Sequence, residues 1–199
     1  GSVGGWAAVG GGWEIGGLVE GLYEASDGFK VIDAGGDTGF EITDGLVKLG
    51  LRSADRRHQW EAKYQRYDET SDETYLGLTL SDFAASPYRR YNGSAADVMN
   101  VEHETFQLTH RFQISPNVSL TTLAYHHETA RAWYKLNDVR NSAGAGWVGI
   151  SSVVANPGAN ALQMADLIGA PGFTGRAGAL RVRNNNRQYS ATGLSISIR

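Results

Sequence analysis

The side chains of this sequence that could do chemistry fall into four groups, and three of them lack the spacing their chemistry needs. His103, His110, His126 and His127 match no compact zinc motif, and adjacent His126 and His127 point to opposite faces of a strand. The carboxylate pairs Asp68/Glu69 and Asp72/Glu73 read as connecting-sequence charge, without the defined cleft that glycosidase acids require. Ser71 has no nucleophile-elbow context. The stretch Gly35-Gly36-Asp37-Thr38-Gly39 has neither a dinucleotide fingerprint nor the Lys-Ser/Thr of a nucleotide loop. No catalytic residue, metal-ligand set or directly bound cofactor is therefore expected. The fourth group is Tyr88-Arg89-Arg90-Tyr91, whose guanidinium forks could grip an anionic ligand or serve as an ordinary basic, aromatic loop anchor. Arg89 and Arg90 are the ligand-binding candidates.

Strands must position these residues. Residues 3–25 read as two strands about a turn at Gly10-Gly11-Gly12, where glycine tolerates positive φ. The second sets Glu14, Glu20 and Glu24 on one face against Ile15, Val19 and Tyr23. Residues 46–52 oppose Lys48 and Arg52 to Val47, Leu49 and Leu51; residues 59–68 oppose Glu61, Lys63 and Gln65 to Trp60, Ala62 and Tyr64. A strand over 102–114 puts Phe106, Leu108 and Phe112 opposite Thr105, Gln107 and Arg111, and a tight turn at Ser115-Pro116-Asn117 leads into 118–128. The last strand, 188–199, sets Leu194, Ile196 and Ile198 opposite Gly193, Ser195 and Ser197. Glu14, Glu20, Lys48, Arg52, Glu61, Lys63 and Arg111 form the candidate lumen-facing set of a barrel. Trp13, Tyr23, Trp60, Tyr67, Tyr125 and Tyr189, near strand ends, are candidates for an interfacial girdle.

The connections alternate in length: short at 10–12, 53–58 and 115–117, long at 26–44, 69–101 and 129–187. In an antiparallel sheet every long connection then leaves from one end, as in transmembrane barrels. Strands of about ten to thirteen residues also suit a tilted span of a bilayer. The expected fold class is all-β: an antiparallel transmembrane β-barrel segment of about seven strands with long extracellular loops. A soluble β-sandwich with large insertions is the alternative, disfavoured because compact domains rarely tolerate such long loops. The 26 glycines follow no three-residue period, which excludes collagen, and the absence of cysteine excludes disulfides and thiolate metal sites. The sequence has no apolar run long enough for a spanning helix, which leaves spanning strands open. A formal charge of -3 without a basic block argues against a nucleic-acid partner.

A series of motifs then carries a family resemblance. Ser26-Asp27-Gly28-Phe29-Lys30, Gly35-Gly36-Asp37-Thr38-Gly39-Phe40, residues 68–79, Asp82-Phe83, Pro87-Tyr88-Arg89-Arg90-Tyr91, Trp133-Tyr134-Lys135-Leu136 and Arg183-Asn184-Asn185-Asn186-Arg187 together resemble TonB-dependent outer-membrane receptors, nearest the ferric-citrate transporter type. The resemblance covers most of the chain. It implies a 22-stranded bacterial outer-membrane barrel with an N-terminal plug, surrounded by outer-membrane lipid. That barrel would import ferric citrate or another ferric siderophore, energised by the TonB–ExbB–ExbD complex. No plug or TonB box is recognisable in residues 1–199, which therefore read as an internal piece of the barrel domain. By the same resemblance, Arg89 and Arg90 are the preferred contacts for the anionic chelate. A non-transport barrel or adhesin-like module is a second expectation, and a soluble β-rich hydrolase a third.

Overall fold

The computed structural model describes residues 1–72, 74–141, 146–169 and 175–199; Glu73 of the carboxylate pairs lies outside them. The chain forms β1 (Ser2–Ala8), β2 (Glu14–Ser26), β3 (Val31–Ile32), β4 (Phe40–Arg52), β5 (His58–Ser71), α1 (Leu80–Ala85), β6 (Arg89–Arg90) and β7 (Val98–Ser115). It continues through β8 (Val118–Arg140), β9 (Trp147–Gly149), α2 (Ile150–Ala155), α3 (Ala161–Ile168) and β10 (Leu180–Ile198). Seven long strands make an open antiparallel meander in the order β1-β2-β4-β5-β7-β8-β10, with β9 beside the upper end of β8. β3 and β6 pair in parallel as a separate ribbon. The all-β expectation holds at the level of the sheet, and the short–long order of connections is observed.

Alternation builds the sheet, and the register sorts each strand's two faces into common rows. Ile15, Leu51, Trp60, His110, Thr122 and Ile196 align across six strands. Gly17, Leu49, Ala62, Leu108, Ala124 and Leu194 form the next row, and Val19, Val47, Tyr64, Phe106, His126 and Thr192 the third. This apolar face has no layer packed on it: Leu194 and Ile198 are 67% and 68% exposed. It ends at a charged row of Arg66, Glu104 and Glu128, with Asp68 and Glu102 beyond. From Phe112 to Phe106 the band measures about 20 Å along the strand at ~3.4 Å per residue.

The core lies elsewhere, in a cap at the long-connection end. Tyr91, Leu136, Val139, Val153 and Leu167 are fully buried there, with Leu76, Ile150 and Met164 around them. Buried Asp97 ties the 74–97 connection to β8 by accepting the Leu136 and Tyr75 amides at 2.6 and 3.0 Å. Asp166, its side chain 1% exposed, accepts from the Arg176 guanidinium, which also reaches the carbonyls of Arg140 and Asn141.

The strands differ from expectation at their cap ends. β8 runs to Arg140 and β10 starts at Leu180, so 129–140 and 180–187 are strand rather than connection. Similarly, β4 begins at Phe40, β5 ends at Ser71 and β7 begins at Val98. Beyond the apolar band the apolar residues no longer keep to one face, since Ile42 shares the face of Lys48 while Leu136 turns into the cap core, so the period-two contrast fades while the ladder continues.

Candidate functional site

The charged face of the sheet is the natural place to look for a site. The register places Glu14, Arg52 and Arg111 in one row, Glu61 in the next, Lys48 and Lys63 in the third and Glu20 in the fourth, all on this face. All seven residues anticipated as lumen-facing thus share one side of the sheet. Glu14 pairs with Arg52 at 3.2 Å and Arg56 at 3.4 Å, and Lys48 pairs with Glu61 at 3.4 Å. Trp6 lies flat across β2 and β4 because Gly16 and Gly50 leave room; a Cβ at either would meet its ring at 2.5 Å. The Arg52 guanidinium covers that ring 3.6 Å from its centroid, so one aromatic and one ion pair close this corner.

Two readings need correction. Tyr67, Tyr125 and Tyr189, anticipated as girdle aromatics, lie on the charged face: Tyr67 and Tyr189 align with His103 and Thr129, and Tyr125 aligns with Lys63 and Gln107. Nearness to a strand end does not set the face; the register does. Trp60 and Tyr23, anticipated with them, do lie on the side of the apolar face, and Tyr64 and Phe112 join Trp60 at the borders of the band. Tyr64 packs on Phe106 at 4.7 Å while its hydroxyl donates to Glu104 in the charged row at 3.2 Å. At the opposite border Trp60, His110 and Phe112 stack in a ladder with His58.

Arg89 and Arg90 sit in the cap, away from the charged face. Arg89 donates twice to Asp33, at 2.8 and 2.9 Å, and lies 3.3 Å from Asp82, which fixes the β3–β6 ribbon. A hydrogen bond from the Tyr91 hydroxyl holds the Asp82 carboxyl below the usual carboxylate range, with help from Thr79 and the Arg89 charge and against the effect of burial. Arg90 donates to Thr74 and to the Pro87 and Arg89 carbonyls. The charge of Arg89 is therefore already met within the fold.

The four histidines do not come together. His126 lies on the apolar face against Thr192 and Glu128, and His110 belongs to the Trp60 ladder. On the charged face His103 and His127 flank the buried Thr105 hydroxyl at 3.0 and 2.9 Å, and Thr129 is 2.7 Å from the far ring nitrogen of His103. The carboxylates do converge, in an open cleft of about 700 Å³ at the cap end. Its walls include Asp27, Asp37, Glu41, Asp68, Asp72 and Glu102. Burial, and then the charge of Asp37, push the Asp72 carboxyl above the usual range.

The residues the sequence reading missed lie on the upper charged face of β8 and β10. Register pairs Arg131 with Arg187, Trp133 with Asn185 and Lys135 with Arg183. Lys135 rests over the rings of Tyr75 and Trp133, 3.8 and 4.5 Å from their centroids, and Arg187 donates to Asn185 and Tyr189. Among the described residues none of these four cations is in an ion pair. Alternate spacing of Arg131-x-Trp133-x-Lys135 and Arg183-x-Asn185-x-Arg187 is the signal for these residues, within the expected connection 129–187. No protein-family model matches the chain, and no curated protein and no solved structure matches it significantly.

Proposed function

We propose that this chain is a wall sector of a bacterial outer-membrane barrel of the TonB-dependent receptor type, and that the assembled barrel imports ferric citrate or a related ferric siderophore. The observation that carries the membrane reading is the polarity of the sheet. Its aliphatic and aromatic side chains are exposed on one broad face, while the charged side chains crowd the other. Soluble monomers rarely expose so large a contiguous apolar surface, whereas a barrel wall presents one to lipid. The band height is of the order of the ~25 Å apolar belt of such barrels. The Tyr64 hydroxyl meeting Glu104 at the border of the band has the amphipathic placement that suits a headgroup boundary.

On this reading Glu14, Glu20, Lys48, Arg52, Glu61, Lys63 and Arg111 face the lumen, and the capped end lies outside the cell. Import needs binding and gating, not bond-making, so no catalytic group is assigned. The energising partner is the TonB–ExbB–ExbD complex, proposed on the family resemblance. The separately packed cap, with exposed Leu80, Phe83 and Tyr88, favours as second reading an adhesin-like role for the outer surface.

The test is ferric-citrate uptake by cells whose only such receptor is the reading frame containing this segment. Iron-55 accumulation is expected, unlabelled ferric citrate should compete, and loss of the energising complex should abolish it. Normal expression in the outer membrane without any such accumulation would overturn the transport reading. Replacing Arg89 and Arg90 together by Gln tests their assigned ligand role: unchanged uptake removes it.

A further inference from the structure

On the apolar face, at the top of the band, three side chains stand in hydrogen-bond sequence. Thr192 Oγ1 is 2.6 Å from His126 Nδ1, and His126 Nε2 is 3.1 Å from Glu128 Oε1. Register explains the closeness. Ser119 and Arg199 exchange both backbone hydrogen bonds, so the alternation along β8 and β10 makes His126 and Thr192 a pair without such bonds, where facing side chains stand nearest. Glu128 follows His126 by two residues and so shares its face. An ionised carboxylate only accepts, so the His126 proton sits on Nε2 and leaves Nδ1 to accept from the Thr192 hydroxyl. His103, by contrast, meets a hydroxyl at each ring nitrogen, an arrangement that does not fix its tautomer. An open groove of about 480 Å³ runs to Thr192 and His126 over Leu49, Ala62, Phe106, Leu108 and Ala124.

We propose that Thr192, His126 and Glu128 form an esterase site that deacylates glycerophospholipids. Thr192 is the nucleophile, His126 the general base, and Glu128 the carboxylate that positions the imidazole. Depth selects the substrate. The hydroxyl lies one row below the charged row of Arg66, Glu104 and Glu128, at the head of the apolar groove. In a glycerophospholipid the ester carbonyl likewise joins the acyl chain to the polar headgroup. An acyl chain laid in the groove therefore brings its ester to Thr192. The Thr192 oxygen attacks the ester carbonyl as its proton passes to His126 Nδ1. The bond from the carbonyl carbon to the glycerol oxygen breaks, and the lysophospholipid leaves with that proton. Water then gives a proton to His126 and attacks the acyl-threonine; the fatty acid departs, and Thr192 takes its proton back. Glu128 stabilises the imidazolium in both steps. The site rests on the barrel reading for its lipid substrate, but not for its chemistry.

The experiment inserts the chain into vesicles of phosphatidylethanolamine and phosphatidylglycerol and follows fatty acid and lysophospholipid by mass spectrometry. 4-Nitrophenyl butyrate serves alongside as a soluble ester. Hydrolysis of both is expected. Thr192→Val and His126→Gln should each lower both rates at least about hundredfold. Thr192→Ser, which keeps the hydroxyl, should keep them. Glu128→Gln should lower them at least about tenfold and move the rise of rate with pH to lower pH, because an imidazole without a neighbouring anion gives up its proton more readily. Thr122→Val, two rows lower on the same face, should leave both rates unchanged. Parent rates in Thr192→Val, or no hydrolysis of either ester by the inserted chain, would overturn the site. Thr192-dependent cleavage of the soluble ester alone by the inserted chain would overturn the lipid assignment. The same cleavage by a chain that fails to enter bilayers would keep the triad and remove the barrel; insertion without Thr192-dependent hydrolysis would do the reverse.

Discussion

The sheet and the cap solve opposite problems with the same residue types. In the cap, Leu136, Val139 and Leu167 are fully buried, and the charges above them are hydrogen-bonded: a small water-soluble core. In the sheet, Leu49, Leu108, Leu194 and Ile196 stand exposed, while Glu14, Arg52, Lys48 and Glu61 pair with one another on the other side. Hydrophobic burial accounts for the first region and cannot account for the second, because nothing covers the apolar face. On the proposed barrel reading the two regions are built for different solvents, with the charged row of Arg66, Glu104 and Glu128 as the line between them.

The sharpest ways to break this contrast come from like-for-like substitutions. Leu167→Ala, in the cap core, should cost about 2–5 kcal/mol of cap stability, read as increased protease cleavage of the cap with the sheet intact. Leu108→Arg, on the apolar face, should cost about 2–4 kcal/mol of folding in bilayers, whereas Gln107→Arg, one residue away on the charged face, should be tolerated. Equal penalties in urea titrations of the two arginine variants would erase the distinction between faces.

Smaller effects sharpen the account within each region. Gly50→Val should displace Trp6, since a Cβ would meet its ring at 2.5 Å, and destabilise the β1–β4 corner by about 1–3 kcal/mol; Trp6 fluorescence reports it. Arg89→Gln should loosen the β3–β6 ribbon by about 1 kcal/mol, the scale of a partly exposed pair, seen as faster amide exchange at Val31 and Asp33. Acid should act on the same ribbon. The folded Asp82 carboxyl lies below its ordinary range, so its contribution is present above about pH 4 and is lost as pH falls through the lower folded value. Asp82→Asn should remove that acid sensitivity.

The same solvent boundary explains what the sequence made legible. Where a strand crosses the apolar band, Val47-Lys48-Leu49 or Phe106-Gln107-Leu108 writes its two faces in alternate letters, so all seven long strands and their three short turns could be read. Above the band Arg131, Trp133 and Lys135 alternate on β8 with Ala132, Tyr134 and Leu136, and Leu136 turns into the cap core, so the contrast between faces there belongs to the cap and not to the band. The ends of β8 and β10 were lost for that reason, and with them the unpaired cations. Tyr67, Tyr125 and Tyr189 were misplaced for another: only cross-strand register, a long-range property, says which face an end-of-strand aromatic occupies. The cap helices are six to eight residues long; α2 and α3 lean on β8, and α1 is held by its Thr79 cap and the Tyr91–Asp82 hydrogen bond, none of which local sequence displays.

The central claim is that one face of the sheet meets lipid and the other meets water. The chain has no cysteine, so single cysteines can be introduced and spin-labelled at successive positions 46–51 of β4 and 105–110 of β7, in lipid bilayers. The account predicts a period of two: oxygen accessibility peaking at 47, 49, 51, 106, 108 and 110, and accessibility to a water-soluble nickel chelate peaking at the positions between. Equal access of the nickel chelate to both sets would contradict it.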